Sequence, residues 1–142
     1  QTGVEVITHP GACEVHERFT PQDIRTIRQD YPGVTVMAHP ECPPEVVAEA
    51  DYSGSTAQML SFVDREHPRS LALITECSMS DNIAAAHPEI DMVRPCNLCP
   101  HMKRNTLASI RAALEQDRHE ITVDPATAAK AKVAIEKMLA VK

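Results

Sequence analysis

The chain has 142 residues, a formal net charge of −6, 43% hydrophobic residues and only 3% aromatic residues. Its length predicts a single domain with one core. The negative charge and the scarcity of aromatic rings argue against a protein that binds nucleic-acid backbones or stacks on bases. No apolar run approaches the roughly 18–20 residues of a membrane span, and no signal-peptide pattern is present. We therefore expect a soluble, cytoplasmic protein with neither nucleic acid nor membrane as a partner.

The beginning of the sequence is unusual, because the first residue is Gln1 and not Met. A strand-like run at residues 4–7 follows almost at once. Two interpretations are open at this point. Either processing removed a preceding segment, or the chain is a piece of a longer protein.

Short apolar runs rich in β-branched residues alternate with helical patterns along the whole chain. Strands are predicted at residues 4–7, 34–38, 71–74, 91–93 and 120–123. Apolar residues spaced three to four apart predict helices at residues 21–28, 43–49, 55–63, 102–116 and 124–139. This alternation favours an α/β fold in which helices cross over between the strands of a parallel sheet.

Local signals support several of these helix boundaries. Thr20 is a typical N-cap, and Pro21 suits the first position of the helix that follows. The final helix opens with Asp124-Pro125. The last two predicted helices each have one apolar face, formed by Leu107, Ile110 and Leu114 in the first and by Val133, Ile135 and Leu139 in the second.

Polar and sulfur-bearing residues follow most of the predicted strands. In a parallel sheet the carboxyl ends of the strands meet at one edge, which is where ligands bind. The sequence therefore predicts a binding site at that edge. The residues expected there are His9, Cys13, His16, His39, Glu41, Cys42, Gly54, Ser55, Thr56, Thr75, Glu76, Cys77, Arg94, Cys96, Asn97, Cys99 and His101.

Five cysteines in a chain without a secretory signal favour metal or redox use over disulfides. A simpler alternative is that a free cysteine acts as a small buried apolar residue. For Cys42 and Cys77 the two interpretations are equally good.

The Cys96-x-x-Cys99 spacing allows two thiolates to reach one centre. Taken alone, it fits half of a zinc site, a redox pair or chance. Cys13 and His16 could supply the other half, which would make a tetrahedral zinc site with three cysteines and one histidine.

Two further features could carry chemistry. His39 and Glu41 place an imidazole and a carboxylate in one loop, and the pair could transfer protons if burial raised the pKa of the glutamate. The alternative is a polar turn with a solvated carboxylate. Gly54, Ser55 and Thr56 open a helix and could offer amide and hydroxyl groups to an anion. The alternative is an ordinary N-cap.

Several motifs in this order resemble the quinolinate synthase family, the iron–sulfur enzymes of de novo NAD biosynthesis. They are the run Gly11 to Phe19, His39-Pro40-Glu41, Gly54-Ser55-Thr56, Thr75-Glu76 and the run Cys99 to Lys103. The resemblance covers essentially the whole chain but only the C-terminal part of the family, whose members have three α/β lobes around a pseudo-threefold axis. It implies a three-layer αβα fold, with residues 1–19 ending the second lobe and residues 20–142 forming the third.

The resemblance also implies an activity. Family members condense iminoaspartate with dihydroxyacetone phosphate to give quinolinate. Their [4Fe–4S] cluster is held by one cysteine from each lobe, and its open iron acts as a Lewis acid. By motif position, Cys13 and Cys99 would be two of the ligands, with the third on the missing N-terminal lobes. Cys96 would not be a ligand.

For the substrates, the resemblance implies that Glu41 is the catalytic carboxylate and that His39 is catalytic and contacts substrate. Ser55 and Thr56 would bind carboxylate or phosphate groups. His16 is a further candidate for substrate binding.

Because a cluster ligand and an opposing lobe lie outside the chain, the chain alone is expected to be inactive. Two non-enzymatic alternatives stay open: a zinc-stabilised α/β domain using Cys13, His16, Cys96 and Cys99, and a binding module that keeps only the anion pocket.

Overall fold

The structure is a computed structural model that describes residues 5, 7 and 10–141. The chain forms two compact units, residues 1–100 and residues 101–142, and not the single domain that its length predicts. Each unit is described by itself below.

The first unit alternates helices and strands. A 3₁₀ turn at His16–Arg18 comes first. It is followed by α1 (Pro21–Asp30), β1 (Thr35–Ala38), α2 (Pro44–Glu49), β2 (Tyr52–Ser53), α3 (Thr56–Glu66), β3 (Ser70–Ile74), α4 (Cys77–Ala86) and β4 (Asp91–Val93).

The four strands form one parallel sheet in the order β2-β1-β3-β4. The central pair is β1 and β3, in which Thr35 lies opposite Leu71 and Ala38 opposite Ile74. Parallel strands need crossover connections, and α2, α3 and α4 occupy them. The predicted parallel α/β architecture is therefore confirmed.

The core lies on both faces of the sheet, because successive side chains of a strand point to opposite sides. On one face Val36 and Ile74 pack in a cluster with Ile24 of α1 and Val46 of α2. The other face has a cluster of Met37, Leu71, Leu73, Met59, Val63, Met79, Ile83 and Ile90, which includes residues of α3 and α4. Helices on both sides of the sheet make the fold a three-layer αβα unit, as expected.

The predicted start of α1 is also confirmed. Thr20 caps the helix, with its side chain accepting from the Asp23 backbone N–H, and the Asp23 carboxylate accepts in return from the Thr20 backbone N–H at 2.7 Å. Pro21 holds the first helical position, where a missing N–H costs nothing.

Some predicted elements are wrong or fall elsewhere. Residues 120–123 are not a strand; Ile121 and Val123 are exposed, and the segment is a link without regular structure that leads into α6 (Pro125–Leu139). The run at 102–116 is split into a 3₁₀ turn at Met102–Arg104 and α5 (Leu107–Gln116).

The predicted strand at 4–7 lies outside the described residues, apart from two positions without strand structure. Both β2 and α4 were absent from the predicted elements.

The second unit contains α5 and α6, whose predicted apolar faces are exposed in this chain. Leu107 and Leu114 of α5 are 87% and 80% exposed, and Leu139 of α6 is 74% exposed. Among the described helices, none combines the length and the apolar character needed to cross a membrane.

A matched pair of leucine substitutions separates core from surface. Leu73→Ala in β3 removes a fully buried side chain and should lower the free energy of unfolding by about 2–5 kcal/mol. Leu107→Ala, at an exposed position, should change it by less than about 0.5 kcal/mol. Urea unfolding followed by circular dichroism measures both. Equal losses would contradict the assignment of β3 to the core.

Candidate functional site

A buried histidine lies at the centre of the candidate site. His16 is only 7% exposed, and its Nε2 atom lies 2.9 Å from the Thr75 hydroxyl. Its ring stacks on His39, with ring centroids 4.5 Å apart and planes inclined by 17°. Its Nδ1 atom is 3.1 Å from Glu41 Oε2, although the two are not aligned for a hydrogen bond. One buried ring thus contacts three of the polar groups at this edge.

The fold explains this convergence. His39 and Glu41 follow β1, and Thr75 follows β3, which is the neighbouring parallel strand. The pairing continues past the strand ends, since the His39 N–H donates to the Ile74 carbonyl at 3.1 Å. The 3₁₀ turn before α1 then places His16 over this edge. The sequence-based prediction that polar residues gather at the carboxyl edge is confirmed for these four residues.

The environment of His16 favours its neutral form. Burial lowers the pKa of the His16 imidazole below its ordinary value, and the nearby His39 lowers it further. Glu41 and Glu76 act in the opposite direction without overcoming these two effects. A neutral ring carries one proton, and a proton on Nδ1 would face the Glu41 carboxylate while Nε2 accepted from the Thr75 hydroxyl.

His39 contacts its own loop as well. The Glu41 backbone N–H donates to His39 Nδ1 at 3.3 Å. The carboxylate of Glu41 is 3.7 Å from the same Nδ1 atom. The loop conformation therefore holds the imidazole and the carboxylate of this motif side by side.

The Glu41 side chain is 57% exposed, which agrees with the alternative of a solvated carboxylate and not with a glutamate whose pKa is raised by burial. An open cavity of about 440 Å³ lies beside it, lined by Gly11, Ala12, Cys13 and Glu41. The possible ligand atoms of Cys13, His16 and Glu41 lie within 4.8 Å of one another, so these residues could hold a metal ion. Glu41 thus faces a cavity large enough for a small substrate.

The second candidate ligand, Cys99, is positioned by Glu76. This glutamate is only 8% exposed and caps α4, accepting from the Ser78 N–H at 2.8 Å. Its other carboxylate oxygen accepts from the Cys99 N–H at 3.4 Å. Thr75 and Glu76 are among the residues that the sequence places at this edge, but no local pattern predicts their individual contacts.

The cysteines are used differently from the prediction. Cys77 at the start of α4 forms a disulfide with Cys96, their Cα atoms being 5.0 Å apart. The expectation that cysteines serve metal or redox sites rather than disulfides is wrong for this pair. The zinc site built from Cys13, His16, Cys96 and Cys99 is also wrong, because the sulfur of Cys96 is already bonded.

Three cysteines remain free: Cys13, Cys42 and Cys99. Cys42 is buried in the core and its thiol donates to the Ile74 carbonyl at 3.4 Å. Burial raises the pKa of the Cys42 thiol to about 11. Of the two interpretations of Cys42, the small buried apolar residue is the one that the structure supports. Cys13 and Cys99 are half-buried.

Ser55 and Thr56 lie at the carboxyl end of β2, beside β1 in the sheet. The Ser55 side chain accepts from the Gln58 N–H and caps α3, as in the simpler alternative. Gly54 is required here, because a Cβ at this position would come within 2.9 Å of the Tyr52 ring. The described hydrogen bonds of Ser55 therefore belong to its own helix and do not join it to the His16 group.

Thiol alkylation distinguishes the five cysteines. At pH 8 a thiol with a pKa of about 11 is ionised in roughly one molecule per thousand, so Cys42 should react far more slowly with iodoacetamide than Cys13 or Cys99. Cys77 and Cys96 should react only after reduction. Peptide mass spectrometry reads each site, and rapid labelling of Cys77 without reductant would contradict the disulfide.

Comparison with known proteins identifies the family. The family model described as quinolinate synthetase A protein matches residues 1–140. Quinolinate synthase 2 of Mesorhizobium japonicum is 64% identical over 99% of this chain, which is 44% of the relative's length. The quinolinate synthase of Agrobacterium fabrum is 62% identical over 98% of this chain and 40% of its own length. That of Xylella fastidiosa is 57% identical over 99% of this chain and 42% of its own length.

The chain thus spans less than half the length of the curated relatives that it matches. The match nevertheless covers nearly every residue of the chain, including the motifs at 11–19, 39–41, 54–56, 75–76 and 99–103. The chain therefore belongs to the quinolinate synthase family.

Proposed function

We propose that this chain forms part of an enzyme that condenses iminoaspartate with dihydroxyacetone phosphate to give quinolinate. The observation that carries the proposal is the packing of His16, His39 and Glu41 against one another beside an open cavity. The reaction is inferred from the family to which the chain belongs. His16, His39 and Glu41 provide side chains that can transfer protons. Curated relatives named quinolinate synthase support the assignment.

We assign the proton-transfer role to Glu41. One of its carboxylate oxygens is near both His16 and His39, at 3.1 Å and 3.7 Å from their Nδ1 atoms. Two imidazoles thus lie beside the carboxylate, while its exposure leaves it accessible to a molecule in the cavity. A carboxylate within reach of substrate and beside groups that exchange protons can serve in general acid–base catalysis. His39 would contact the substrate from the same loop, and His16 would restrain Glu41 from behind.

We assign the binding of substrate carboxylate or phosphate groups to Ser55 and Thr56. The Ser55 oxygen accepts from the Gln58 N–H as the cap of α3, and its hydroxyl hydrogen can still be donated to an anion. The positive end of the α3 dipole favours negative charge at the same place. Capping and anion binding are therefore compatible uses of one hydroxyl group.

We propose Cys13 and Cys99 as two ligands of a [4Fe–4S] cluster, with the third on a part of the enzyme outside this chain. The donor chemistry fits, because thiolates hold such clusters and both cysteines are free and half-buried. Cys96 does not fit, since its sulfur is bonded to Cys77. When bound, the cluster would supply a Lewis acid for substrate oxygen atoms.

The chain by itself is proposed to make no quinolinate. A cluster ligand and the opposing lobes are missing from it, and Glu41 is largely exposed to water. Holding reactants together in a closed site can supply roughly 7–11 kcal/mol, most of which an open site loses. The proposed partner of this chain is the N-terminal lobes of the same enzyme, and the proposed division has residues 1–19 completing the second lobe and residues 20–142 forming the third.

Replacing the proposed proton-transfer group tests the mechanism. In an intact quinolinate synthase carrying this sequence, Glu41→Gln should keep the fold and the cluster but lower turnover at least about 100-fold. Glu66→Gln is a matched control, because Glu66 ends α3 at the opposite edge of the sheet. The measurements are quinolinate formation and iron content. Turnover near wild type in cluster-loaded Glu41→Gln would overturn the role of Glu41.

A pair of serine substitutions tests the cluster ligands. Cys99→Ser should abolish iron retention in the intact enzyme, because a serine oxygen is a poor replacement for a thiolate on iron. Cys96→Ser should retain iron, since Cys96 bonds to Cys77 and not to the proposed cluster. Iron and sulfide are measured after anaerobic purification. Equal loss of iron in both variants would mean that the two cysteines act as one unit.

A further inference from the structure

We propose a second metal site in this protein, formed by His67, His87 and Glu89, that binds a divalent transition-metal ion such as Zn²⁺. The possible ligand atoms of these three residues lie within 4.8 Å of one another. Two imidazoles and one carboxylate are a ligand set that zinc accepts. The proposal does not depend on the reaction proposed above, because none of its residues belongs to that site.

The proposed metal site and the His16 site lie at opposite edges of the sheet, so the length of the strands separates them. His67 caps the C-terminal end of α3, just before β3, and His87 caps the C-terminal end of α4, just before β4. Both therefore lie at the amino edge of the parallel sheet, opposite the edge that carries His16. The turn after α4 returns Glu89 to His87, with the Ile90 N–H donating to the His87 carbonyl at 3.2 Å.

The distance between His87 and Glu89 suits a shared ion. His87 Nδ1 and Glu89 Oε1 are 3.2 Å apart. Two ligand atoms about 2.0–2.1 Å from a tetrahedral zinc ion are about 3.3 Å from each other. The ring of His67 lies nearby, with its centroid 6.3 Å from that of His87 and its plane nearly perpendicular. A third ligand can thus approach from a different direction.

A carboxylate behind His87 orients the ring. Asp64 Oδ1 lies 3.0 Å from His87 Nε2, and the His87 side chain is only 13% exposed. With its proton on Nε2 and donated to Asp64, the ring would present its Nδ1 lone pair to an ion shared with Glu89 Oε1. Carboxylate, histidine and metal in this order are the usual arrangement at metal sites.

The same short distances also fit hydrogen bonds between the His87 ring and the Asp64 and Glu89 carboxylates without a metal ion. That arrangement uses Asp64, His87 and Glu89 but has no use for His67. A metal ion uses His67 as well, so the contribution of His67 decides between the two.

The test is a Zn²⁺ titration of the 142-residue chain, followed by the ring-nitrogen NMR signals of its histidines. These signals report each histidine separately, which matters because free thiols also bind Zn²⁺. The signals of His67 and His87 should shift together and saturate, whereas those of the exposed His119 should not follow them. His67→Asn should weaken the binding seen at His87 at least about tenfold.

His119→Asn is the matched control, because His67 and His119 both have positive φ angles, which asparagine tolerates. It should leave the binding seen at His87 unchanged. Asp64→Asn should weaken that binding by about 10–100-fold through loss of ring orientation. The proposal is overturned if the His67 and His87 signals do not move, or if His87 responds equally in the wild type and in His67→Asn. The first result would leave the cluster as hydrogen bonds among Asp64, His87 and Glu89, and the second would mean that any ion at His87 is held without His67.

Discussion

The parallel pairing of β1 with β3 is the constraint on which the candidate site depends. Both strands are buried on both faces, so their register is specified by two separate clusters of apolar side chains. That register makes the two strands end together, and the His39 N–H bond to the Ile74 carbonyl extends it by one more residue. As a result, the loop after β1 and Thr75 after β3 meet, and His16 contacts both. A shift of one residue would separate these groups.

The polar groups at this edge differ in how deeply they are buried and in what stabilises them. His16 is enclosed and held neutral by the loss of water, and its ring contacts restrain Glu41. Glu76 is nearly as buried, but it is stabilised by accepting backbone N–H groups from Ser78 and Cys99. The Glu41 side chain, by contrast, is 57% exposed. The edge therefore combines a desolvated, neutral imidazole with an accessible carboxylate, an arrangement that suits a site closed by another part of the protein.

The cysteines show how neighbours decide the chemistry of one residue type. Cys42 packs among apolar side chains, where its thiol resists ionisation. Cys77 and Cys96 bond to each other across the start of α4 and the loop after β4. Cys13 and Cys99 stay free and half-buried. The Cys-x-x-Cys spacing suggested that Cys96 and Cys99 act together, but the loop directs one towards Cys77 and places the backbone of the other against Glu76.

The sequence by itself determined the parallel α/β fold, because local patterns indicate where buried strands and capped helices occur. Examples are Thr20-Pro21 at the start of α1 and the apolar run at 71–74. It also determined the edge at which His39 and Glu41 lie, since carboxyl ends of parallel strands must coincide. It failed at residues 120–123, where three β-branched residues form no strand in the described part of the chain. Only the tertiary structure decided that His16 is central, that Glu41 is exposed and that Cys96 pairs with Cys77. These facts depend on contacts between residues distant in the chain, which no local pattern encodes.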